Sequence, residues 1–168
     1  MKIIPIFEPG LYGIREHETD ALADFLRFAT DPERLFKFYT SNNMVLDYYG
    51  LNMEHAVKQT IAAAQNMYDS LREHAENPSK LFVPLSNKST SDEPNASKFR
   101  KLWLRIYAIG IEHKVYIITG GSIKQSQKMQ DHKDTVTQLN RLNRLQALLL
   151  EQGITDQQGL QSFIFEQS

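Results

Sequence analysis

The hydrophobic and polar positions of this chain follow two different periods, which predict a mixture of strands and helices. Short apolar runs on either side of Glu8-Pro9-Gly10 predict two strands joined by a turn within residues 2–15. Thr19-Asp20 and Asp31-Pro32 predict helix starts, because short polar side chains cap helix N-termini and proline fits the first helical position. Apolar residues at helical spacing follow both signals.

The longest helix is predicted over residues 53–76, with Asn52 as its N-cap. Apolar residues recur there at spacings of four and three, which places them on one face. These residues are Val57, Ile61, Ala64, Tyr68, Leu71 and Ala75. We expect this stripe to pack on the protein's own sheet, and Ala62-Ala63-Ala64 to permit a close approach.

A loop and a β-hairpin are predicted next. Residues 86–97 have no apolar pattern, which is typical of a mobile surface loop. The run from Phe99 to Ile109 predicts one extended strand. Residues 114–119 predict the returning strand, and Gly120-Gly121 is expected to end it.

Two helices are predicted to close the chain. The first runs from about Asp131 to Gln152 with leucines on one face, and Gly153 stops it. The segment Thr155-Asp156-Gln157-Gln158 resembles a capping box for a short last helix, which ends near Phe165.

Together these elements predict an α+β fold, in which a small antiparallel or mixed sheet packs against several helices. Residues 1–168 are expected to form one domain, with a β-start and an enlarged helical region over 1–85, the loop over 86–97, and a hairpin with C-terminal helices over 98–168. The apolar runs are too short to span a bilayer, and no signal-peptide pattern opens the chain. We therefore expect a cytoplasmic protein without membrane association.

Charge is distributed unevenly along the chain. Residues 1–95 contain 9 Lys and Arg against 14 Asp and Glu, whereas residues 96–145 contain 10 against 3, and residues 146–168 bring the total to −1. A basic stretch on a neutral protein suits a polyanion partner, although basic residues on solvated faces are also common.

Several kinds of chemistry have no sequence signal. The chain has no cysteine, its five histidines are not in metal-ligand spacing, and it contains no glycine-rich phosphate loop. We therefore expect no cofactor and no metal.

The stretch that does carry a signal lies in the basic half. The segment Lys101-Leu102-Trp103-Leu104-Arg105-Ile106-Tyr107 precedes a hairpin partner, and residues 121–128 read Gly-Ser-Ile-Lys-Gln-Ser-Gln-Lys. This order, over about residues 99–150, resembles the RelE/ParE toxin superfamily, and in particular its HigB-like branch, in which a polar stretch close to G-x-x-K-K/Q-S/T-Q-K follows the hairpin. Two residues differ from the family's usual ones: Ser122 stands where an aromatic residue is usual, and Gln125 stands for the second residue of the usual lysine pair.

The resemblance implies a RelE-like sheet and a metal-independent endoribonuclease, an mRNA interferase of a type II toxin-antitoxin system. Its implied partners are RNA, including ribosome-bound messenger RNA, and a helix-turn-helix antitoxin. The predicted catalytic residues are Arg105 as a phosphate clamp, Lys124 as a charge stabiliser or proton carrier, and Lys128 as an accessory phosphate contact. The predicted RNA-binding residues are Lys101, Tyr107, Tyr116 and Gln127.

Alternative interpretations remain open at this point. The chain is expected to be either an active toxin or a catalytically inactive relative that acts through protein–protein binding. A third possibility is an interaction protein that docks through the stripe of residues 57–75. For Tyr107 and Tyr116 the competing interpretation is core packing, and for Arg105 it is an ion pair with a carboxylate. Four acidic residues of the N-terminal half are further expected to lie near the basic edge and reduce RNA affinity, namely Glu16, Glu18, Asp20 and Asp24.

Overall fold

The computed structural model describes residues 1–85, 94–125 and 133–167. Within these ranges the chain forms a six-stranded mixed sheet and six α-helices, which confirms the α+β class. In chain order the elements are β1 (Lys2–Phe7), β2 (Leu11–Arg15), α1 (Ala21–Ala29), α2 (Pro32–Ser41), α3 (Asn43–Tyr49), α4 (Met53–Glu73), β3 (Val83–Pro84), β4 (Asn95–Lys101), β5 (Leu104–Ile111), β6 (Val115–Ile123), α5 (Lys133–Glu151) and α6 (Gln157–Gln167), with a short 3-10 turn at Pro78–Lys80 before β3.

The sheet has the strand order β1-β2-β6-β5-β4-β3. The predicted hairpin of β1 and β2 is confirmed, and β5 and β6 form a second antiparallel pair. These two hairpins meet through β2 and β6, which run parallel and pair only from Leu11–Gly13 to Tyr116–Ile118. Beyond Ile118, β6 therefore continues without β2 beside it.

Both faces of the sheet are covered. Leu104, Ile106 and Ile118 belong to the hydrophobic core on the side of α1–α4. Ile109 and Ile117, which alternate with them along the strands, belong to a second core with α5 and α6. All eight residues of β5 are buried, as expected for a strand with helices on both sides.

The predicted N-caps of α1, α2 and α4 are confirmed, because their side chains accept hydrogen bonds from the first turn. Asp20 accepts a hydrogen bond from the backbone N–H of Ala23 at 2.7 Å, and Asp31 accepts one from Glu33 at 3.0 Å. Asn52 caps α4 through the backbone N–H of His55 at 2.9 Å. These bonds satisfy amides that a helix N-terminus otherwise leaves free.

The predicted stripe of α4 is confirmed at Ala64, Leu71 and Ala75, which are buried, and at Val57 and Ile61, which are partly buried, but the buried face also extends beyond it by part of a turn. Tyr68 and Ala62 are exposed, whereas Ala56, Thr60 and Met67 are fully buried in the core shared with α1 and α2. The buried polar residue Thr60 made this face difficult to predict from hydrophobicity alone. Because the face packs on the protein itself, it is not available as a docking stripe. None of the helices in the described ranges has the length and apolar character needed to cross a bilayer.

The predicted single strand from Phe99 to Ile109 is in fact two strands. Leu102, with φ of 51°, and Trp103 form a tight turn between β4 and β5. The turn contains none of the glycine, asparagine or aspartate residues that usually mark such hairpins. Its indole is buried, and Trp103 Nε1 donates a 3.0 Å hydrogen bond to Thr60 Oγ1, so tertiary contact holds this turn in place.

The next strand boundary was also predicted wrongly. Gly120-Gly121 does not end β6, which continues to Ile123 through a bulge opposite Tyr107 and Ala108. The predicted loop over 86–97 is too long at its C-terminal end, because residues 95–97 already belong to β4. Residues 86–93 lie outside the described ranges.

The C-terminal helices follow the prediction with one change at a cap. α5 ends at Glu151, two residues before Gly153. The last helix is capped by Asp156, whose Oδ1 accepts from the backbone N–H of Gly159 at 2.7 Å. The predicted capping residue Thr155 is therefore one position too early, because an aspartate was available at the better position.

Candidate nucleic-acid interface

The register of the paired strands places basic side chains on the side of the sheet where α5 packs. Arg100 on β4 lies opposite Arg105 on β5, and Lys98 lies opposite Tyr107, a residue of the α5-side core. Directly paired residues point to the same side of a sheet. Lys124 follows β6 two positions after Ser122, which pairs with Arg105. We refer to Lys98, Arg100, Arg105 and Lys124 as the cationic face.

Arg105 is held rigidly at the centre of this face. Its side chain is buried, with the residue only 9% exposed, and its Nη1 donates hydrogen bonds to the carbonyl oxygens of Leu102 at 2.7 Å and Leu104 at 2.8 Å. Burial lowers the pKa of the guanidinium, while the nearby hydroxyls of Tyr49 and Tyr107 raise it and Arg100 lowers it. The predicted alternative, an ion pair with a carboxylate, is not found among the described residues.

The backbone of Lys124 is fixed on both sides. Its N–H donates a hydrogen bond to the carbonyl of Trp103 at 2.7 Å. This bond extends the β5–β6 hydrogen-bond ladder beyond its last pair, Leu104 and Ile123. Its carbonyl accepts a 2.8 Å hydrogen bond from the hydroxyl of Tyr49 at the end of α3. The lysine therefore leaves the sheet from a defined position next to the β4–β5 turn.

Lys98 is a member of the cationic face that was not predicted from the sequence. Burial lowers the pKa of its ammonium group, and the charges of Arg100, Arg105 and Lys124 lower it further. Among the four cations, Lys98 is therefore close enough to the other three for their charges to repel its own. None of them takes part in an ion pair within the described ranges, so an anion bound here would relieve that repulsion.

Three of the predicted RNA-binding residues are not available for RNA on this face, because they are buried or lie on the other side of the sheet. Lys101 is exposed but alternates with Phe99, which packs in the α1–α4 core, so the lysine lies on the opposite side of the sheet. Tyr107 is 4% exposed and shares a 3.2 Å hydrogen bond with Ser122 Oγ. Tyr116 is 3% exposed and stacks on Phe82 with ring centroids 4.7 Å apart. Both tyrosines are core residues, as the competing interpretation expected, and neither ring is open to an RNA base. Gln127 and Lys128 lie outside the described residues.

An exposed aromatic side chain lies on α3, near the end of β6. Tyr48 is 54% exposed, and its ring meets that of Tyr49 edge to face with centroids 4.8 Å apart. Tyr48 also lines a surface hollow together with Gln125, the residue after Lys124. Aromatic rings next to basic residues are typical of single-strand binding surfaces. The sequence did not reveal this ring because α3 was not predicted.

Three of the four acidic residues expected near the basic edge have other partners. Glu16 forms an ion pair of 2.9 Å with Arg144 on α5, and Asp24 forms one of 3.4 Å with Arg27. Asp20 caps α1. These contacts neutralise one basic residue of α5, and none of the three acidic residues pairs with a member of the cationic face.

Within the described ranges, no group of three or more His, Asp or Glu side chains is arranged to hold a metal ion. No protein-family model, curated protein or solved structure matches the chain. A function must therefore be argued from the residues of the cationic face.

Proposed function

We propose that this protein binds single-stranded RNA on its cationic face and cleaves it without a metal ion, as an endoribonuclease of the RelE/ParE kind. The observation that supports this proposal is the concentration of Lys98, Arg100, Arg105 and Lys124 on one sheet face without a neutralising carboxylate in the described ranges. Phosphodiester groups supply the negative charge that such a face lacks.

The cleavage that suits these residues is an internal transesterification. The RNA 2′-oxygen attacks the adjacent phosphorus, the bond from phosphorus to the 5′-oxygen breaks, and a 2′,3′-cyclic phosphate and a free 5′-hydroxyl result. Lys98 in its neutral form takes the 2′-hydroxyl proton, because its lowered pKa makes that form more accessible than in a free lysine. The ammonium of Lys124 gives a proton to the leaving 5′-oxygen, so the proton count balances.

The two arginines supply the charge needed by the crowded phosphorane. Arg105 is held in place by the carbonyls of Leu102 and Leu104, so its charge is preorganised before RNA binds. Arg100 lies opposite it and is exposed, which suits a direct phosphate contact. Tyr48 offers an open ring on which an unpaired base can stack.

The burial of Arg105 also supports a second candidate function. Arg105 is buried and its Nη1 already binds two carbonyls, which leaves less of the guanidinium for a phosphate. A relative that has lost catalysis would use the same face to bind a protein. In either case a helix-turn-helix antitoxin with acidic residues is the expected protein partner, since it would cover the cationic face.

The test is RNA binding and cleavage by a variant with Lys98, Arg100 and Lys124 all changed to alanine. These three side chains are partly or fully exposed, whereas Arg105 is left in place because it is buried. Lys101→Ala, on the opposite side of the sheet, is the matched control. Labelled single-stranded RNA and ribosome-bound message serve as substrates, and the cyclic phosphate end is assayed directly.

We expect the wild type and Lys101→Ala to bind and cleave alike. The triple variant should lose cleavage. The slope of log affinity against log salt concentration should become shallower by about 0.7 for each phosphate that the variant no longer neutralises. Binding without cleavage by the wild type would favour the inactive relative. Equal binding and cleavage by all three proteins would overturn the proposal.

A further inference from the structure

The end of β6 opens into a cavity that the cationic face does not use. β2 leaves β6 after Ile118, and α1 and α5 lie on the two sides of the strand edge that follows. A cavity of about 330 Å³ lies between them. This volume is at the lower end of the range for small-molecule sites, which suits a ligand of about the size of one nucleoside.

The walls of the cavity differ in character. One carries three phenyl rings, those of Phe25, Phe28 and Phe38, together with Asp24. The rings of Phe28 and Phe38 meet edge to face with centroids 5.7 Å apart. The other carries polar side chains from β6 and α5, namely Ser122, Gln138 and Arg141. A flat molecule with apolar faces and polar edges fits between such walls.

Gln138 gives the most specific indication of a ligand. The residue is 8% exposed, and its Oε1 is buried without a hydrogen-bond partner among the described residues. A buried acceptor left without a donor is rare in folded proteins and costs stability. A ligand with an N–H group would supply the missing donor.

Glycines shape both sides of this site. Gly120 has φ of 147°, and a Cβ atom there would overlap with Gln138 Oε1. At Gly121 a Cβ atom would lie 2.5 Å from the ring of Phe25. Gly120 therefore lets the amide of Gln138 approach β6 closely, and Gly121 does the same for the ring of Phe25.

We propose that this cavity binds one nucleobase, which stacks against the phenyl wall and donates an N–H hydrogen bond to Gln138 Oε1. Ser122 lines the cavity and is also the cross-strand partner of Arg105, so the site lies next to the cationic face. The base belongs either to a nucleotide of bound RNA, an assignment that rests on the proposed function, or to a free nucleotide. Arg141 is available to the ribose or phosphate in both cases.

The test uses isothermal titration calorimetry with the four nucleoside 5′-monophosphates, ribose 5-phosphate and short single-stranded RNA. Gln138→Leu removes the amide while keeping the side-chain volume. Gln146→Leu is the matched control on the same helix, where the amide instead binds the carbonyl of Pro94 at 2.6 Å, away from the cavity. Unfolding in urea shows that both variants fold.

We expect at least one monophosphate to bind the wild type and Gln146→Leu, and ribose 5-phosphate not to bind. Gln138→Leu should bind about tenfold more weakly, as expected when one hydrogen bond is removed from a buried site, while remaining at least as stable as the wild type because an unsatisfied buried group has been removed. If no monophosphate and no RNA binds, or if Gln138→Leu binds as well as the wild type, the proposal is overturned.

The Lys98, Arg100 and Lys124 triple variant separates the two sources of the base. If Gln138→Leu weakens RNA binding, and the triple variant loses RNA binding but keeps monophosphate binding, the base belongs to RNA that the cationic face holds. If the wild type binds monophosphates but no RNA, the proposed RNA function fails and the cavity stands as a site for free nucleotides.

Discussion

The hydroxyl of Tyr49 donates a 2.8 Å hydrogen bond to the backbone carbonyl of Lys124, a residue 75 positions further along the chain. The same tyrosine ring packs on Trp103, with centroids 5.0 Å apart. Helix α3 therefore supports both the β4–β5 turn and the end of β6, which are the two places from which the cationic face is built.

Tyr49→Phe removes that hydrogen bond and keeps the ring contact with Trp103. We expect the free energy of unfolding, measured in urea, to fall by about 1 kcal/mol, the usual net value of one partly buried hydrogen bond. Tyr48→Phe is the matched control, because that ring is exposed, and it should change stability by less than about 0.5 kcal/mol. Equal losses in the two variants would contradict a specific role for the Tyr49 hydroxyl.

The elements that could be predicted from sequence are those fixed by local chemistry. Asp31-Pro32 and Asn52 start helices because their side chains satisfy nearby backbone amides. The β4–β5 turn could not be predicted in this way. Leu102 and Trp103 have no intrinsic preference for it, and the contact that fixes it comes from Thr60, 43 positions earlier than the indole it binds.

The candidate site could be predicted only in part, because contacts between distant parts of the chain also decide which residues it contains. Arg105 and Lys124 lie on one face, as expected of a hairpin and the segment after it. Lys98 was missed because the predicted strand began after it, and strand register decides which side chains share a face. Tyr107 was assigned to RNA because alternation normally leaves one face of a hairpin open, whereas here helices cover both faces of β5.

Thr60 joins three elements through one buried hydroxyl. Its Oγ1 donates to the carbonyl of Ala56 at 2.6 Å and lies within hydrogen-bonding distance of Tyr39 Oη at 2.7 Å, in addition to accepting from Trp103. Thr60→Val keeps the shape but leaves the tyrosine hydroxyl and the indole N–H without their acceptor. We expect a loss of about 3 kcal/mol in unfolding free energy, measured in urea.

The control for this substitution is Thr40→Val. Thr40 also donates to a carbonyl one turn earlier, that of Phe36 at 2.8 Å, but it is exposed. We expect its unfolding free energy to change by less than about 0.5 kcal/mol. If Thr60→Val were as mild, the buried hydroxyl would not be what fixes the β4–β5 turn to α4.

The charge of Lys98 is expected to oppose folding near neutral pH. Burial and three neighbouring cations lower the pKa of its ammonium group below the ordinary value of 10.5, so the folded state binds its proton less tightly than the unfolded state does. Between the lowered pKa of the folded state and 10.5, the unfolded state therefore holds more protons than the folded state. The stability that the charge of Lys98 costs at neutral pH is regained as the pH rises through that window.

Lys98→Met removes this cost, so its unfolding free energy should exceed that of the wild type near neutral pH by about 0.5 kcal/mol, a small value because solvent screens a partly exposed charge. The advantage should shrink as the pH approaches 10.5 and as salt is added. Lys101→Met, on the opposite face, serves as the control and should show neither trend. Urea unfolding of the three proteins across pH and ionic strength measures both effects. Two results would contradict this prediction: Lys98→Met less stable than the wild type at neutral pH, or a stability advantage of Lys98→Met that grows with pH. Either would show that the other three cations do not repel Lys98, and the proposed role of Lys98 as the base would lose its physical ground.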